Sequence, residues 1–578
     1  MPTSPPSPLV GPPPRRPQTR HNRVRHLAPL LAFAAAAFAF GVVAGSRHEP
    51  SERKVATRFA SAWERGDYAA MHALLSDTAR ERVSAQRFGR AYQQAADIAT
   101  LAKVRSRGLR TEGNRVTLQV TATTRIFGAV KGDVVLGMDE RADGTPGIAW
   151  REEQVFPGLR AGEKLERQTR MPPRAAIQTR DGALIAHGEA RTSELGPLVS
   201  EIAGQVGPAP PERKAELERR GVPEGTPVGL NGIERAFDER LAGTPGGTLK
   251  AGGRVLARTA PKRGPAVRTT IDPKVQEAAV TALAGRFGGI AVLRPSDGEV
   301  LGLAGIAYSA PQPPGSIFKI ITLAGLLDAG LVKRNARFDV ETSATLEGVE
   351  LENANGEACG GTLRESFAES CNSVFAPLGA KLGAKRLVEA AERFGFNEQP
   401  PVLGAAESTI PPADEIGDDL AVGSTAIGQG KVLTTPLQMA EAAAAIGRGG
   451  RRPRPTLLKG AGGVTGRATS PESARFIARA MRSVVTEGTG AGAAVPGIRV
   501  AGKTGTAELR TTVRDEDAVV EPGQPPIEED TTDTDAWFTA FAPLRDPKVA
   551  VCVLLVGQGA GGATAAPAAK TVIQAALG

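Results

Sequence analysis

The longest unbroken apolar run lies near the start of the chain. From Leu27 to Gly45 the segment LAPLLAFAAAAFAFGVVAG carries no charge. At 1.5 Å per residue it predicts a helix of about 28 Å, close to the hydrocarbon thickness of a bilayer. Beyond it the pattern turns amphipathic. Val55, Phe59 and Trp63 recur at i, i+4 and i+8, the stripe of a helix with one buried face. Val116, Leu118, Val120 and Ala122 alternate with polar residues, as in a half-buried strand. Residues from Ser51 to about Leu165 therefore read as a small α+β domain, with His72 expected as a surface helix residue. From 166 to about 268 the chain is loop-rich, with Pro172-Pro173, PAPPERKAELERRGVP and GGTLKAGGR, and suits a linking or pedestal domain better than a catalytic core. At Thr270 the texture changes. VQEAAVTALAGRF predicts a helix, and GGIAVLRP with EVLGLAGIA, joined at Ser296-Asp297-Gly298, predicts a hairpin. An amphipathic helix is expected to begin near Ser316, after the stop at Pro313-Pro314-Gly315. TLRESFAESCNSVF reads as helix, turn, helix; IRVAGKTGTAEL as an edge strand; KVAVCVLLV as a core strand holding Cys552.

Composition narrows this picture. The 578 residues predict about three or four domains. With 41% hydrophobic and 23% charged residues, most of the chain is globular. The net charge of +9 invites a nucleic-acid reading. Six of those charges (Arg15, Arg16, Arg20, Arg23, Arg25 and Arg47) precede the first acidic residue, Glu49, which leaves an ordinary balance beyond. The basicity belongs to the tail, and no nucleic-acid partner is expected. The five arginines before Leu27 mark that side as cytoplasmic. Residues 1–26 are Pro- and Arg-rich and predict a disordered cytoplasmic tail. Residues 27–46 predict a single-pass membrane anchor, with everything after it extracytoplasmic. A cleaved signal peptide ending at Val43-Ala44-Gly45 is the alternative, although its apolar region is usually shorter.

Three cysteines exclude a disulfide-dense scaffold and a four-thiolate zinc site. No histidine follows His187, so the C-terminal part holds no Ser-His-Asp triad and no histidine-ligated metal of its own. The nucleophilic chemistry available there is of another kind. Ser316 and Lys319 are three apart, neighbours on one helical face, and a serine beside an amine is a nucleophile–base pair that needs no histidine. Alone, S-x-x-K is weak: Ser51–Lys54 repeats it, and roughly one chance hit per chain is expected. Two motifs further along the chain make the signal specific. Ser370-Cys371-Asn372 and then Lys503-Thr504-Gly505-Thr506 each supply a motif found once in the chain. S-x-x-K, S-x-N and K-T-G in this order are the signature of serine acyltransferases that react with penicillin.

On these motifs the sequence resembles the class B high-molecular-weight penicillin-binding proteins, bifurcated transpeptidases of peptidoglycan synthesis. WREEQVFPGLRAGEKL (150–165) is similar to the end of the nuclear-transport-factor-like domain of some members. RAAIQTRDGALIA (174–186) and LNGIERAFDERLAGTPG (230–246) resemble their dimerisation domain, and DAWFTAFAP (535–543) the strand beside K-T-G. The resemblance implies a multidomain α/β and α+β protein. Its parts would be a nuclear-transport-factor-like domain at 47–165, a pedestal at 166–268, and a transpeptidase domain at 269–578 with an antiparallel sheet flanked by helices. It implies that Ser316 attacks the penultimate D-Ala carbonyl of a stem peptide and Lys319 takes its proton. Ser370 would relay a proton to the amine, Asn372 would hold the substrate amide, and Lys503 would supply positive charge. Thr504 and Thr506 would bind the substrate carboxylate, with Gly505 between them, and the N–H groups of Ser316 and Thr506 would form the oxyanion hole. The implied partners are peptidoglycan stem peptides, β-lactams, the cell membrane, and a peptidoglycan polymerase or division and elongation proteins. No metal or cofactor is implied.

Cys371 replaces the Asp of the β-lactamase motif, and a disulfide with Cys359 is left open by the sequence. The acidic segment 512–532 reads as a solvated loop, with gating of the site as the sharper alternative. Two other functions stay in play: a serine β-lactamase or β-lactam sensor, and a scaffold with a silent site.

Overall fold

The computed structural model describes residues 50–402, 404–508 and 534–578. The predicted tail, the predicted anchor and the acidic segment 512–532 lie outside the described residues. Among the described residues no helix is long and apolar enough to cross a membrane. The chain forms two compact units, one comprising the residues up to Arg167 with Thr248–Arg258, the other Gln168–Gly247 with Thr259–Gly578.

The first unit opens with four helices, α1 (Ser51–Arg65), α2 (Tyr68–Ala73), α3 (Asp77–Arg82) and α4 (Ala85–Ala99). Helix α1 ends where Gly66 adopts φ 72° and its N–H returns to the last turn, the left-handed stop that glycine makes without strain. Ser84 caps α4 by accepting the Arg87 N–H. Four antiparallel strands follow in sequential order, β1 (Leu101–Glu112), β2 (Arg115–Thr124), β3 (Gly128–Glu140) and β4 (Pro146–Ala149). Phe59 and Trp63 of the predicted stripe are buried, as are all four alternating residues of β2. The helices cover that apolar face with Phe59, Phe88 and Tyr92. His72 differs from expectation: its Nε2 lies 2.9 Å from the Val83 carbonyl and its ring meets Phe88 edge-on. It ties helix α2 to the chain after α3, because the helix turns this face inward.

The second unit is built around a five-stranded antiparallel sheet. Its strands are β5 (Gly288–Leu293), β6 (Val300–Gly305), β7 (Ala501–Glu508), β8 (Thr534–Ala542) and β9 (Val549–Leu555), in the spatial order β6-β5-β9-β8-β7. Every residue of β5 and β9 is buried, which explains their continuous apolar runs. Both faces are covered. Helices α5 (Pro273–Leu283) and α12 (Ala565–Leu577) pack on one face through Ile290, Val551, Val553 and Phe538. On the other face, Ala291, Leu293, Cys552, Leu554, Trp537 and Phe541 join the core around helix α6 (Lys319–Asp328). Helices α7 (Leu363–Ala368), α8 (Asn372–Leu382), α9 (Ala384–Arg393), α10 (Pro436–Gly447) and α11 (Pro471–Thr486) complete the layer. The helix predicted near Ser316 is not amphipathic. Residues Lys319–Leu326 are all buried, and a 3₁₀ turn over Gly315–Phe318 precedes it.

Residues 168–247 share the core of this second unit: Ile177, Ile185, Val199, Ile202 and Leu241 belong to the same cluster as Ile271 and Leu303. Their loops are stapled by charge. Arg174 reaches Glu234 at 2.7 Å and Asp238 at 2.8 Å, Arg213 reaches Asp238 at 2.7 Å, and Arg191 also engages Glu234. Both carboxylates are buried, so each needs its guanidinium partners, and a loop-rich sequence keeps one conformation.

Candidate active site

The predicted site residues converge from three segments. Ser316 sits on the 3₁₀ turn before α6, and the turn is possible because Gly315 adopts φ 53°. A Cβ on Gly315 would stand 2.4 Å from the Thr506 carbonyl oxygen, so the turn of Ser316 and the K-T-G strand pack closer than any side chain permits. Lys319, one turn on, is fully buried and points back to Ser316, its Nζ 3.0 Å from Oγ.

Ser370 lies in the turn between α7 and α8, and Asn372 opens α8. Ser370 holds φ 67°, unusual for a residue with a side chain. That strain turns its carbonyl inward, where it accepts a 2.6 Å hydrogen bond from Lys319 Nζ. Asn372 Oδ1 accepts from the same amine at 2.7 Å. The Asn372 amide is oriented by its Nδ2, which donates to the Glu352 carbonyl at 2.8 Å. Cys371 and Cys359 are joined as a disulfide with Cα atoms 5.8 Å apart, which settles the pairing left open by the sequence. Cys359 begins the short strand Cys359–Thr362, which pairs with Arg337–Glu341, so the Ser370 turn is cross-linked to a neighbouring two-stranded ribbon. Asn353, buried, accepts the Ser373 N–H at 2.8 Å and donates to the Glu341 and Glu357 carbonyls. Nothing in the sequence marks Asn353, because its role depends on backbone groups 4, 12 and 20 residues away that only the fold gathers around it.

Lys503, Thr504, Gly505 and Thr506 lie on β7, at the edge of the sheet as expected. Lys503 Nζ donates to Ser370 Oγ at 2.8 Å and to the Thr504 carbonyl at 3.0 Å. Thr504 is buried and Thr506 half-buried. Gly505 is backed by Trp537, whose indole N–H donates to the Pro313 carbonyl at 2.8 Å and fixes the strand against the turn of Ser316. All the predicted residues are thus gathered in one place.

Two fully buried lysines in one site cannot both keep a proton cheaply. Burial, reinforced by the nearby charge of Lys503, holds the Lys319 amine well below the ordinary lysine range. Burial also pulls Lys503 down to about 7, opposed by the carboxylate of Glu369. Phe375 and Phe367 lie under the two ammonium positions at 5.8 and 5.6 Å, an aromatic floor that periodicity alone identifies only as core. This arrangement provides a serine hydroxyl beside an amine of lowered proton affinity, a second amine whose pKa stands at about 7, and a strand edge that no other strand pairs with among the described residues.

Known proteins show the same organisation. The model of the penicillin-binding protein transpeptidase domain matches residues 288–574, and that of the penicillin-binding protein dimerisation domain matches 163–269. The peptidoglycan D,D-transpeptidase PbpA of Mycobacterium tuberculosis is 35% identical over 413 residues, covering 60% of this chain and 79% of the relative. Stage V sporulation protein D of Bacillus subtilis is 30% identical over 453 residues, 68% of this chain and 65% of the relative. Among solved structures, penicillin-binding protein A of M. tuberculosis as its ceftriaxone acyl-enzyme superposes with a TM-score of 0.56 at 29% identity, covering 71% of this chain and 99% of that one. PBP2 of Pseudomonas aeruginosa gives 0.59 at 25% identity, over 71% and 96%. Three motif-bearing segments on one transpeptidase fold, with a dimerisation domain before them, place this chain in the class B penicillin-binding proteins.

Proposed function

We propose that this chain is a peptidoglycan D,D-transpeptidase that cross-links stem peptides through an acyl-enzyme on Ser316 and is covalently inhibited by β-lactams. The observation that carries this reading is the set of contacts around Lys319. A neutral amine has two N–H donors and one lone pair. The Ser370 carbonyl and Asn372 Oδ1 can only accept, so they take the two hydrogens. The lone pair of the amine in its neutral form is then free to take the Ser316 proton, whose oxygen lies 3.0 Å away.

Ser316 Oγ attacks the penultimate D-Ala carbonyl and its proton passes to Lys319. The tetrahedral oxyanion is held by the N–H groups of Ser316 and Thr506. Ser370, in contact with both lysines, hands a proton to the departing amine of the terminal D-Ala. Lys319 passes the Ser316 proton on to Ser370; the acceptor amine then attacks the ester, its proton moves through Ser370 to Lys319, and Lys319 protonates Ser316 Oγ as the C–O bond breaks. Lys503, Thr504 and Thr506 receive the terminal carboxylate, and Asn372 the peptide amide. The stem peptide lies as an added strand along the free edge of β7.

Further parts of the reading rest on sequence. An anchor at 27–46 with the N-terminus inside is supported by its charge-free apolar length and the arginines before it. Such an anchor makes the catalytic module extracytoplasmic in the cell membrane, with a peptidoglycan polymerase or other division and elongation proteins as partners. A reporter enzyme active only outside the cytoplasm, fused after Gly578, is expected to be active; an inactive fusion would reverse the topology. The boundaries 47–165, 166–268 and 269–578 complete the scheme. The first of these is assigned as nuclear-transport-factor-like, supported by its four helices against a four-stranded antiparallel sheet.

The test is intact mass after incubation with benzylpenicillin, for the wild type and for Ser316→Ala. One stable adduct per chain, absent from the variant, is expected. Rapid antibiotic turnover without an adduct would make the protein a β-lactamase, and no reaction would leave a scaffold.

A further inference from the structure

Two of the motif-bearing segments meet at a hydroxyl that belongs to neither motif. Thr489 lies in the Glu487-Gly488-Thr489-Gly490 turn after helix α11. Its Oγ1 is 2.5 Å from Thr504 Oγ1 and 3.3 Å from the carbonyl of Ala368, the last residue of α7. The Thr489 backbone N–H donates to that same carbonyl, also at 3.3 Å. Thr504 is 6% exposed, whereas Thr489 is exposed, so the pair runs from the rim of the site inward. Gly562 makes room for it. A Cβ there would stand 2.2 Å from the Thr489 carbonyl oxygen and 3.7 Å from Thr504 Cγ2.

We propose that Thr489 is a positioning and specificity-determining residue, whose hydroxyl orients Thr504 as a donor toward the carboxylate of the substrate. The proposal rests on the acyl-transfer reading above. Only one proton can lie between two hydroxyl oxygens. When the Thr489 proton points at the Ala368 carbonyl, Thr504 spends its own proton on Thr489 and offers a ligand only lone pairs. A carboxylate would be repelled. When Thr489 turns its proton to Thr504 instead, the Thr504 proton is free for the carboxylate, and a charge-assisted hydrogen bond forms. The reversal does not orphan the Ala368 carbonyl, because the Thr489 N–H still serves it. The carboxylate itself supplies the driving force, so the relay selects ligands that carry a negative charge at this end. The same hydroxyl joins the strand of Thr504 to the helix that ends two residues before Ser370.

The experiment compares acylation of the full-length protein by benzylpenicillin and by its methyl ester, in the wild type, Thr489→Val and Thr489→Ser. Valine keeps the shape and removes the hydroxyl. Acylation by benzylpenicillin is expected to slow about tenfold or more in Thr489→Val, because Thr504 keeps its proton but loses the hydrogen bond that turns it toward the carboxylate and strengthens it as a donor. Acylation by the ester is expected to stay within about twofold of wild type, and Thr489→Ser to restore the acid's rate. The ester also reports whether the variant has folded. Equal losses for acid and ester would overturn the proposal in favour of a structural staple, and an undiminished rate with the acid would overturn it outright. If the wild type were acylated by neither compound, the acyl-transfer reading would fall and this inference with it. If the wild type reacts normally and only the Thr489 comparison fails, the inference falls alone.

Discussion

Lys503 shows what a buried amine does at the scale of a residue. Removed from water, it binds its proton weakly, and its pKa stands at about 7 against the ordinary lysine value of 10.5. Between those values the unfolded chain holds a proton that the folded chain has released, so this group makes stability rise with pH across that window. Below it the folded state carries a buried charge and the cost is present in full. Lys503→Met is therefore expected to raise unfolding stability at pH 6.5 by about 1–3 kcal/mol, with the gain shrinking toward pH 10. Urea melts at pH 6.5 and 9.5 check it, and a gain that grew with pH would contradict the assignment. Activity should move the opposite way, because on the proposed mechanism the Lys503 charge receives the substrate carboxylate. The acylation rate constant for benzylpenicillin is expected to fall as pH rises past about 7 in the wild type. In Lys503→Arg, which keeps its charge, the rate should be lower but flatter in pH.

The site depends equally on how its elements approach one another. Gly315 allows the nucleophile's turn to sit against the carbonyl of Thr506. Gly315→Ala adds both a strained φ and a clash with backbone, which cannot swing aside. Acylation is expected to fall by about a hundredfold or more, the effect of misplacing a reacting atom by an ångström. Circular dichroism and the melting temperature should show a folded protein, and an unimpaired rate would mean that the turn has more freedom than its packing implies. The disulfide acts on the neighbouring element. It closes a loop between residues 12 apart and ends one residue from both Ser370 and Asn372. The Cys359→Ala, Cys371→Ala double variant should lose about 2–3 kcal/mol from freeing that loop. Its acylation should slow as well, since both acceptors for Lys319 flank Cys371. Stability lost with the acylation rate unchanged would show that Asn353 alone holds the turn.

For the whole molecule the relevant fact is which residues share a core. The first unit closes its own clusters around Phe59, Phe88 and Leu136, and around Ile126, Phe127 and Phe156. The second unit joins residues of 168–247 to the transpeptidase fold in one cluster. Calorimetry of residues 47–578 is expected to show two transitions, and benzylpenicillin to raise only the one that contains Ser316, because a ligand stabilises the state it binds. A single transition shifted as a whole would show that the units unfold together. A fragment beginning at residue 269 should aggregate, since it would uncover the surfaces that Ile177, Ile185, Val199 and Leu241 now bury.

Much of this was legible in the chain because it is local. The period of Phe59 and Trp63, the alternation along β2, the apolar runs of β5 and β9, and the spacing of the three motifs follow from backbone geometry that each residue carries with it. The chemistry of the site was legible for a related reason: a serine near a lysine, with no histidine in that part of the chain, leaves few ways to make a nucleophile. What the sequence could not state is any property created by burial or by contact between distant segments. The helix after Ser316 read as amphipathic, yet every face from Lys319 to Leu326 is covered, because elements from elsewhere in the chain close over it. His72, Asn353, Thr489 and the pairing of Cys359 with Cys371 had no local signal that fixed their partners. The low proton affinity of Lys319 belongs to the same class. Its cause is the removal of water and the charge of a lysine 184 positions away, and only the folded chain brings the two together.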